Sequence, residues 1–405
     1  MPRSSRSFPL RPAALLVLLL FFPAAFPWTV SSPVILHGPY LTNPAADSIT
    51  ILWFTDKPCT SWVEYASAGN FKAFPQFGGL RQTARMSRHG LFEAGRMRHE
   101  VRLTGLKQGQ TYRYRVASKE ILQFEPYETV YGGTVLGDIL EFRTLDPAKK
   151  EAAFRIFQDI HGDPTRIEQL AARADLEHAD LVFFNGDTLE ALSAENYVFE
   201  GFIDPAVRLF ARRLPFVYIR GNHDTRGSLA RRLRNYFPER DGRFYYSFDH
   251  GPVHFIVLDS GEDKADDSPV YAGLADFDRY RREQAEWLKE EIRSPAFRKA
   301  AYRLVLVHMP LFGDGHGVEE NSRLWGPILN ESGIDAVLAG HYHRLFRVEP
   351  AVGRNDFPVL GFPQDAVVKA AVRDAQIDIQ VVNSKGDTVY SRVLAVRLPA
   401  RRPLE

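Results

Sequence analysis

Five short apolar runs after residue 150 alternate with stretches of helical periodicity, and each run ends in polar residues. The runs cover 153–157, 181–184, 216–219, 304–307 and 335–338. The intervening stretches 165–178 and 277–292 place apolar residues at the helical period. Apolar strands that alternate with helices predict an α/β domain whose strands are buried on both faces.

The part of the chain that follows residue 32 has a different pattern, with short runs rich in β-branched and aromatic residues. These runs lie at 48–54, 61–65 and 111–116, with turn residues at 43–44 and 109. Short strands at this spacing predict a small all-β sandwich over 33–146. The polar segment 146–150 is the predicted linker, and a β-rich tail extends the predicted α/β domain over 151–400.

The N-terminus has the composition of an export signal. Arg3, Arg6 and Arg11 precede an apolar run over 13–26. This run is shorter than the ~20 residues that a membrane span needs. We therefore predict a signal peptide over 1–32 and a secreted or periplasmic protein with no stable membrane insertion after cleavage. An uncleaved anchor is the alternative.

Net charge and cysteine content limit the classes of binding partner and the ways in which the fold can be stabilised. The formal net charge is +1 at pH 7, which gives no reason to expect nucleic acid or an anionic membrane as a partner. Cys59 is the single cysteine, so no disulfide can form within the chain. An exported form must therefore be stabilised without an internal disulfide, mainly by its packed core.

The polar residues at the ends of the five apolar runs are of types that bind transition metals. In chain order they are Asp159 with His161, Gly186-Asp187, Gly221-Asn222-His223-Asp224, His308, and Gly340-His341-Tyr342-His343. Aspartate, histidine and asparagine provide oxygen and nitrogen donors suited to divalent ions of this kind. Ligands bind beyond the carboxyl ends of the strands in open α/β sheets. Each group alone would be an ordinary turn or a capped helix start, but the full series in order predicts one metal site.

This series resembles the motifs of the calcineurin-like metallophosphoesterase superfamily, and segments 38–41 and 48–53 resemble the N-terminal module of purple acid phosphatases. The resemblance implies a fibronectin III-like front domain and a catalytic domain built as a β-sandwich flanked by helices. The ligands that it implies are Asp159, His161 and His343 for a first metal, and Asn222, His308 and His341 for a second. The remaining roles that it implies are a carboxylate bridging both metals for Asp187, catalytic assistance to the leaving group for His223, and orientation of that histidine for Asp224.

The implied cofactors are two divalent or mixed-valence transition metal ions, of iron, manganese or zinc. Asp187 can bridge because a carboxylate has two oxygens, and two metals can hold an attacking hydroxide while stabilising charge on the phosphoryl oxygens. The implied function is hydrolysis of a small-molecule phosphate mono- or diester by a metal-bound hydroxide. A nucleotide or cyclic-nucleotide phosphodiesterase is an alternative within this class. A non-catalytic binding or adhesion protein on the same fold is an alternative outside it.

The chain departs from the purple acid phosphatase pattern at two positions. Glu190 occupies the place of the tyrosine that binds ferric iron and gives those enzymes their colour, and His161 replaces a smaller residue. The resemblance therefore implies that an imidazole takes the place of a tyrosinate at the first metal.

Three further polar residues near these motifs each have two interpretations. Arg220 and Arg226 flank the Asn-His motif and could bind phosphate oxygens. Ion pairs at the surface are favoured for both, because arginine is mostly exposed. His316 lies in the glycine-rich segment after His308, where it could face a substrate or belong to a solvated loop.

Overall fold

The computed structural model describes residues 31–68, 81–373 and 376–395. The predicted signal peptide over 1–32 lies outside the described residues except for its last two positions. Among the helices within the described ranges, none is long and apolar enough to cross a membrane.

The front region forms the predicted β-sandwich. Its strands are β1 (Ile35–Thr42), β2 (Ile49–Ser67), β3 (Gln82–Ala84), β4 (Ser87–Arg88), β5 (Leu91–Phe92), β6 (Arg96–Leu103), β7 (Thr111–Glu125), β8 (Glu128–Leu136) and β9 (Leu140–Arg143). The first part of β2 pairs with β1 and β6 and its second part pairs with β7, so this strand connects both layers. Trp53 of β2 and Tyr114 of β7 are fully buried in the core between the layers. The indole Nε1 of Trp53 donates a hydrogen bond to Ser118 Oγ at 2.9 Å, which satisfies the buried indole nitrogen.

The second region contains two sheets that face each other. Its strands are β10 (Ala152–Phe157), β11 (Leu181–Asn185), β12 (Phe216–Ile219), β13 (Tyr246–His250), β14 (Val253–Val257), β15 (Tyr302–Leu306), β16 (Ala336–Ala339), β17 (Phe346–Val348), β18 (Val359–Gly361), β19 (Ala366–Arg373), β20 (Gln376–Asn383) and β21 (Thr388–Ala395). In the first sheet β10, β11 and β12 are parallel neighbours, and β19, β20 and β21 continue it in antiparallel pairs. The second sheet has the order β13-β14-β15-β16-β18-β17. One apolar core made from both sheets fills the space between them, and all five predicted apolar strands are present.

Helices cover the outer faces of the two sheets. The α-helices are α1 (Pro164–Ala171), α2 (Glu195–Val198), α3 (Asp204–Ala206), α4 (Phe277–Glu291), α5 (Pro295–Lys299) and α6 (His316–Ser332). Two π-helical segments, Phe199–Ile203 and Val207–Ala211, extend α2 and α3 into one irregular helical stretch. This stretch and α1 pack against the first sheet, while α4, α5 and α6 pack against the second. The predicted β-sandwich flanked by helices is therefore confirmed.

One helix prediction and one loop interpretation need correction. The helix predicted over 165–178 ends at Ala171, because Asp175 adopts a left-handed conformation with φ of +50° that an α-helix cannot continue. The glycine-rich segment that contains His316 is not only a loop, since this histidine begins α6. The helix predicted over 277–292 is confirmed as α4 within one residue.

The two regions share a continuous sheet. Strand β1 of the front region pairs in parallel with β12 through Thr42 and Phe216, and a single sheet of thirteen strands results. The described residues from Ser32 onward belong to one compact unit. Tyr40 is fully buried, stacks on Phe216 at a centroid distance of 5.9 Å, and donates its hydroxyl to the carbonyl of Tyr236. The predicted linker 146–150 therefore separates two stretches of chain that are joined through their strands and side chains.

Candidate metal centre

The predicted ligands all follow the carboxyl ends of parallel strands. Asp159 and His161 come after β10, Asp187 after β11, Asn222 after β12, His308 after β15, and His341 and His343 after β16. The first three of these strands belong to one sheet and the last two to the other. The two sheets thus bring their ligand-bearing loops to the same edge of the sandwich, as expected for ligand sites in parallel sheets.

The backbone at five of these residues is held in the left-handed region. The φ angles are +52° at Asp159, +53° at His161, +48° at Asp187, +74° at His341 and +56° at His343. Such conformations cost about 1–3 kcal/mol each and concentrate at functional sites, where the surroundings enforce them. Here the enforcement includes hydrogen bonds between the loops, from Asp159 N to Gly186 O at 3.1 Å and from His161 N to Asp187 O at 2.9 Å.

The predicted ligand side chains converge in two groups that share one carboxylate, and a third group joins His161 to Glu190 and His223. The donor atoms of the first group lie within 4.8 Å of one another and come from Asp159, His161, Asp187 and His343. A second group with the same spacing consists of Asp187, His308 and His341. Asn222 joins the second group, because its Oδ1 lies 3.1 Å from His341 Nδ1. Asp187 thus belongs to both groups, which is the position that a bridging ligand must occupy.

His308 shows that the site suits a cation. Its Nδ1 donates to the carbonyl of Asn185 at 2.8 Å, which leaves Nε2 free to act as a ligand. That Nε2 is buried and forms no well-directed hydrogen bond, although it lies 3.0 Å from Asp187 Oδ2 and 3.9 Å from Asp159 Oδ1. An imidazole nitrogen without a hydrogen bond, facing two carboxylates, is an arrangement that a metal ion would complete.

The electrostatics of this pair agree with that interpretation. Burial lowers the pKa of His308, but the facing carboxylates outweigh it and raise the pKa to about 10. Burial raises the pKa of the Asp187 carboxyl, but its interactions with His308 outweigh it and hold the pKa well below its usual range. The facing carboxylates therefore favour a positive charge at this position, which a metal ion would supply in place of a proton.

Asp224 is not placed where the predicted orienting role would need it. His223–Thr225 forms a 3-10 turn that directs the side chain of Asp224 into the protein. Its carboxylate accepts hydrogen bonds from the backbone N–H groups of Gly221 at 2.9 Å and Leu189 at 3.0 Å, and a longer one from Thr188 at 3.4 Å. Burial, together with the nearby charge of Asp187, raises the pKa of Asp224 to about 6. Asp224 therefore fastens the loop after β11 to the loop after β12.

Glu190 occupies the position that was expected of Asp224. Its backbone carbonyl lies 3.0 Å from His223 Nδ1, and its carboxylate lies 3.3 Å from the same nitrogen and 2.7 Å from His161 Nδ1. The sequence pattern identified Glu190 only as a replaced tyrosine. Its position three residues after Asp187 is the one signal that placed it near the metal ligands.

Family models match most of the described chain. Residues 154–345 match the calcineurin-like phosphoesterase model, and residues 37–131 match the model of the purple acid phosphatase N-terminal domain. The chain joins a purple acid phosphatase N-terminal domain to a calcineurin-like phosphoesterase domain. It is therefore a metal-dependent phosphoester hydrolase, and the resemblance inferred from its motifs is confirmed.

Individual relatives are distant but extend over much of the chain. Purple acid phosphatase 18 of Arabidopsis thaliana is 24% identical over 348 residues, which cover 80% of this chain and 69% of that protein. The human serine/threonine-protein phosphatase CPPED1 is 25% identical over 172 residues, which are 39% of this chain and 52% of that protein. The solved structure of purple acid phosphatase PPD1 from yellow lupin seeds has a TM-score of 0.63 at 17% identity, with 90% of this chain and 74% of that chain covered. The last comparison shows a shared fold.

Two of the three further polar residues near the motifs, Arg220 and His316, have partners within the protein. Arg220 is largely buried rather than at the surface, with Nη2 2.7 Å from Asp259 Oδ2 and its guanidinium 4.9 Å from the ring centre of Phe244. His316 lies at the start of α6 with Nε2 3.4 Å from Asp278 Oδ1. Arg220 therefore supports the fold, and His316 has a partner on α4.

Proposed function

We propose that this chain is an exported phosphoesterase that uses two transition metal ions to hydrolyse phosphate mono- or diesters. The observation that carries the proposal is the presence of two donor groups that share Asp187. Asp159, His161 and His343 would hold one ion, and Asn222, His308 and His341 would hold the other. Oxygen and imidazole donors in this number suit iron, manganese or zinc.

Two bound ions would supply Lewis-acid activation of the phosphate ester and of water. The chain's own residues prepare the surrounding site. Asp187 stays ionised, and its Oδ1 accepts the backbone N–H of His223 at 2.8 Å. This bond fixes His223 beside the shared carboxylate, with Nε2 4.0 Å from Asp187 Oδ2. We assign His223 the transfer of a proton from Nε2 to the departing oxygen of the ester.

Glu190 supports that transfer from the far side of the imidazole. Its carbonyl accepts a hydrogen bond from His223 Nδ1, and its carboxylate lies close enough to stabilise the positive charge of the protonated ring. The side-chain carboxylate of Asp224 stabilises the loops and takes no direct part in the chemistry. This division of roles replaces the one that the resemblance implied for Asp224.

Export is supported by the arginines and the apolar run at the N-terminus, residues 1–32. The expected result is a mature N-terminus close to residue 32 in protein recovered outside the cytoplasm, as read by N-terminal sequencing. A chain that keeps residues 1–32 and fractionates with membranes would favour the uncleaved anchor.

The binuclear site is tested by metal analysis of the purified chain together with a panel of phosphate mono- and diesters. We expect two metal ions per chain in the natural protein and a large loss of both metal and hydrolysis in Asp187→Asn, because the shared carboxylate contributes to both groups. Asp314→Asn is the matched control, since Asp314 is exposed beside the site and belongs to neither donor group. One metal per chain, or full activity in Asp187→Asn, would exclude the bridging role.

A further inference from the structure

The guanidinium of Arg226 is fixed in place on two of its three nitrogens. Nε lies 3.0 Å from Glu262 Oε1, and Nη2 lies 3.1 Å from Glu262 Oε2 and 3.2 Å from Asp263 Oδ1. Glu262 is itself buried and accepts hydrogen bonds from Thr225 Oγ1 at 2.9 Å and from the hydroxyl of Tyr271 at 3.0 Å. An arginine held by a bidentate carboxylate has lost most of its freedom before any ligand arrives.

The third nitrogen of Arg226 points into the candidate site. Nη1 donates a hydrogen bond of 3.0 Å to His223 Nε2, the nitrogen to which we assign proton transfer, so this nitrogen is an acceptor before substrate binds. The second N–H of Nη1 remains for a ligand. The same Nε2 lies 4.0 Å from Oδ2 of the shared carboxylate Asp187. The side chain of Arg226 is 29% exposed, so the edge that carries Nη1 can meet a ligand from solvent.

The other arginine of the same motif is arranged differently. Arg220 is paired with Asp259 and surrounded by the rings of Phe244, Phe277 and Tyr280. Its side chain is 15% exposed. Of the two arginines that flank the Asn-His motif, Arg226 is the one that directs a nitrogen toward His223.

We propose that Arg226 binds a terminal oxygen of the substrate phosphate and makes the site prefer phosphomonoesters to phosphodiesters. This inference rests on the proposed function of the same site. A phosphomonoester dianion has three terminal oxygens, whereas a diester has two terminal oxygens and a single negative charge. If the metal-binding groups hold two terminal oxygens of the phosphate, the monoester still has a third terminal oxygen that Nη1 of Arg226 can bind. The diester has none left. Arginine binds such anionic oxygens with strong charge-assisted hydrogen bonds.

The test compares 4-nitrophenyl phosphate with bis(4-nitrophenyl) phosphate in the metal-loaded protein. Arg226→Met should lower kcat/KM for the monoester by about 10- to 100-fold, the effect of one hydrogen bond to a charged group. The diester should lose less than about threefold by the same reasoning, because it offers no third terminal oxygen. Arg226→Lys, which keeps the charge without the planar fork, should recover part of the monoester activity. An equal loss on both esters, or no loss on the monoester, would overturn the proposal.

Lys264→Met is the matched control. Lys264 lies 2.7 Å from Asp263, a partner of Arg226, and its side chain is 48% exposed. The substitution removes the same charge from the same cluster but no contact to His223, so it should leave both esters unaffected. Metal content of Arg226→Met should match the natural protein, whereas its melting temperature should fall, because the buried carboxylate of Glu262 loses its partner. A loss of metal would instead make Arg226 a support of the metal site.

Binding of inorganic phosphate gives a readout that does not depend on turnover. Calorimetry on the metal-loaded chain should show phosphate binding weakened by about 10- to 100-fold in Arg226→Met, while binding of dimethyl phosphate changes little. A natural protein that hydrolyses neither nitrophenyl ester would refute the proposed function, and the phosphate measurement would still decide the role of Arg226. Equal phosphate affinity in the natural protein and in Arg226→Met would refute that role even in an active enzyme.

Discussion

The backbone carbonyl oxygen of Glu190 lies 3.0 Å from Nδ1 of His223, and the carboxylate of the same glutamate reaches both this imidazole and that of His161. One residue thus contacts a predicted metal ligand and the predicted proton donor. The backbone contact is independent of the side chain at position 190, while the carboxylate contact depends on it. The two contributions can therefore be separated by mutation.

Replacing Glu190 by glutamine should affect proton transfer and spare the metals. Glutamine keeps the backbone carbonyl but removes the negative charge that stabilises a protonated His223. Because the side chain of Glu190 is 61% exposed and its charge is screened, we expect a loss in kcat of only about three- to tenfold on alkyl phosphates. Nitrophenyl phosphates should lose less, and the metal content should stay at two per chain. A loss of metal in Glu190→Gln would show that Glu190 is a ligand.

His223 and His343 should fail in different ways when replaced by alanine. General acid catalysis is worth about 10²–10⁴-fold, so His223→Ala should lower kcat by that order on an alkyl phosphate and keep both metals. The nitrophenolate group of a nitrophenyl ester leaves without a proton, so hydrolysis of that ester should lose little of its rate. His343→Ala removes a member of the first donor group and should lose metal and activity on both esters alike. Loss of metal in His223→Ala, or equal losses on the two esters, would make His223 a ligand or a substrate contact.

Asp224 should behave as a structural residue. Asp224→Ala leaves the buried backbone N–H groups of Gly221 and Leu189 without an acceptor, and each such group costs about 1–3 kcal/mol. We expect the free energy of unfolding to fall by about 3 kcal/mol, as measured by urea denaturation, with similar activity losses on alkyl and nitrophenyl esters. Asp224→Asn keeps one oxygen acceptor, so its free energy of unfolding should fall less. Unchanged stability combined with a selective loss on the alkyl ester would restore the orienting role implied by the resemblance.

His254 should make stability depend on pH apart from the metal centre. It is buried on β14, with Nδ1 2.7 Å from Asp249 Oδ1 and Nε2 3.1 Å from Glu291 Oε1. Burial lowers the pKa of His254, but the two carboxylates outweigh it and raise the pKa above its ordinary value. A raised pKa stabilises the fold fully below the unfolded value of ~6.5 and loses that contribution as pH rises through the folded value.

His254→Gln should therefore lower the free energy of unfolding more at pH 6 than at pH 9. Urea denaturation of the natural chain and the variant at both pH values measures the difference. Equal destabilisation at the two pH values would mean that His254 contributes by packing alone.

The convergence of the predicted ligands could be foreseen from sequence because each one follows an apolar strand. Asp187 and His308, for example, come within two residues of the ends of β11 and β15. Strand periodicity and residue type are both visible in a single sequence, and parallel strands bring their carboxyl ends together whatever the loops do. The residue types then determine which oxygen and nitrogen atoms are available to bind a metal.

The contacts around His223 could not be predicted in the same way. They depend on a backbone carbonyl, which every residue has, and on a 3-10 turn that directs Asp224 inward. The pairing of Thr42 with Phe216 was also hidden, because it joins segments that are far apart in the chain and leaves no local pattern. The helix that begins at His316 was missed because glycines and Pro327 weaken its helical signal.

The pairing of β1 with β12 also affects whether the catalytic sheet can pair with strands of other molecules. Without the front region, β12 would be an open edge immediately before Asn222 and His223, and a bare edge strand is a template for strand addition between molecules. Phe216 would lose its contact with Tyr40, and Phe199 its contact with Phe54. A fragment that begins at residue 151 is therefore expected to self-associate through this edge, which the front β-sandwich pairs at Phe216.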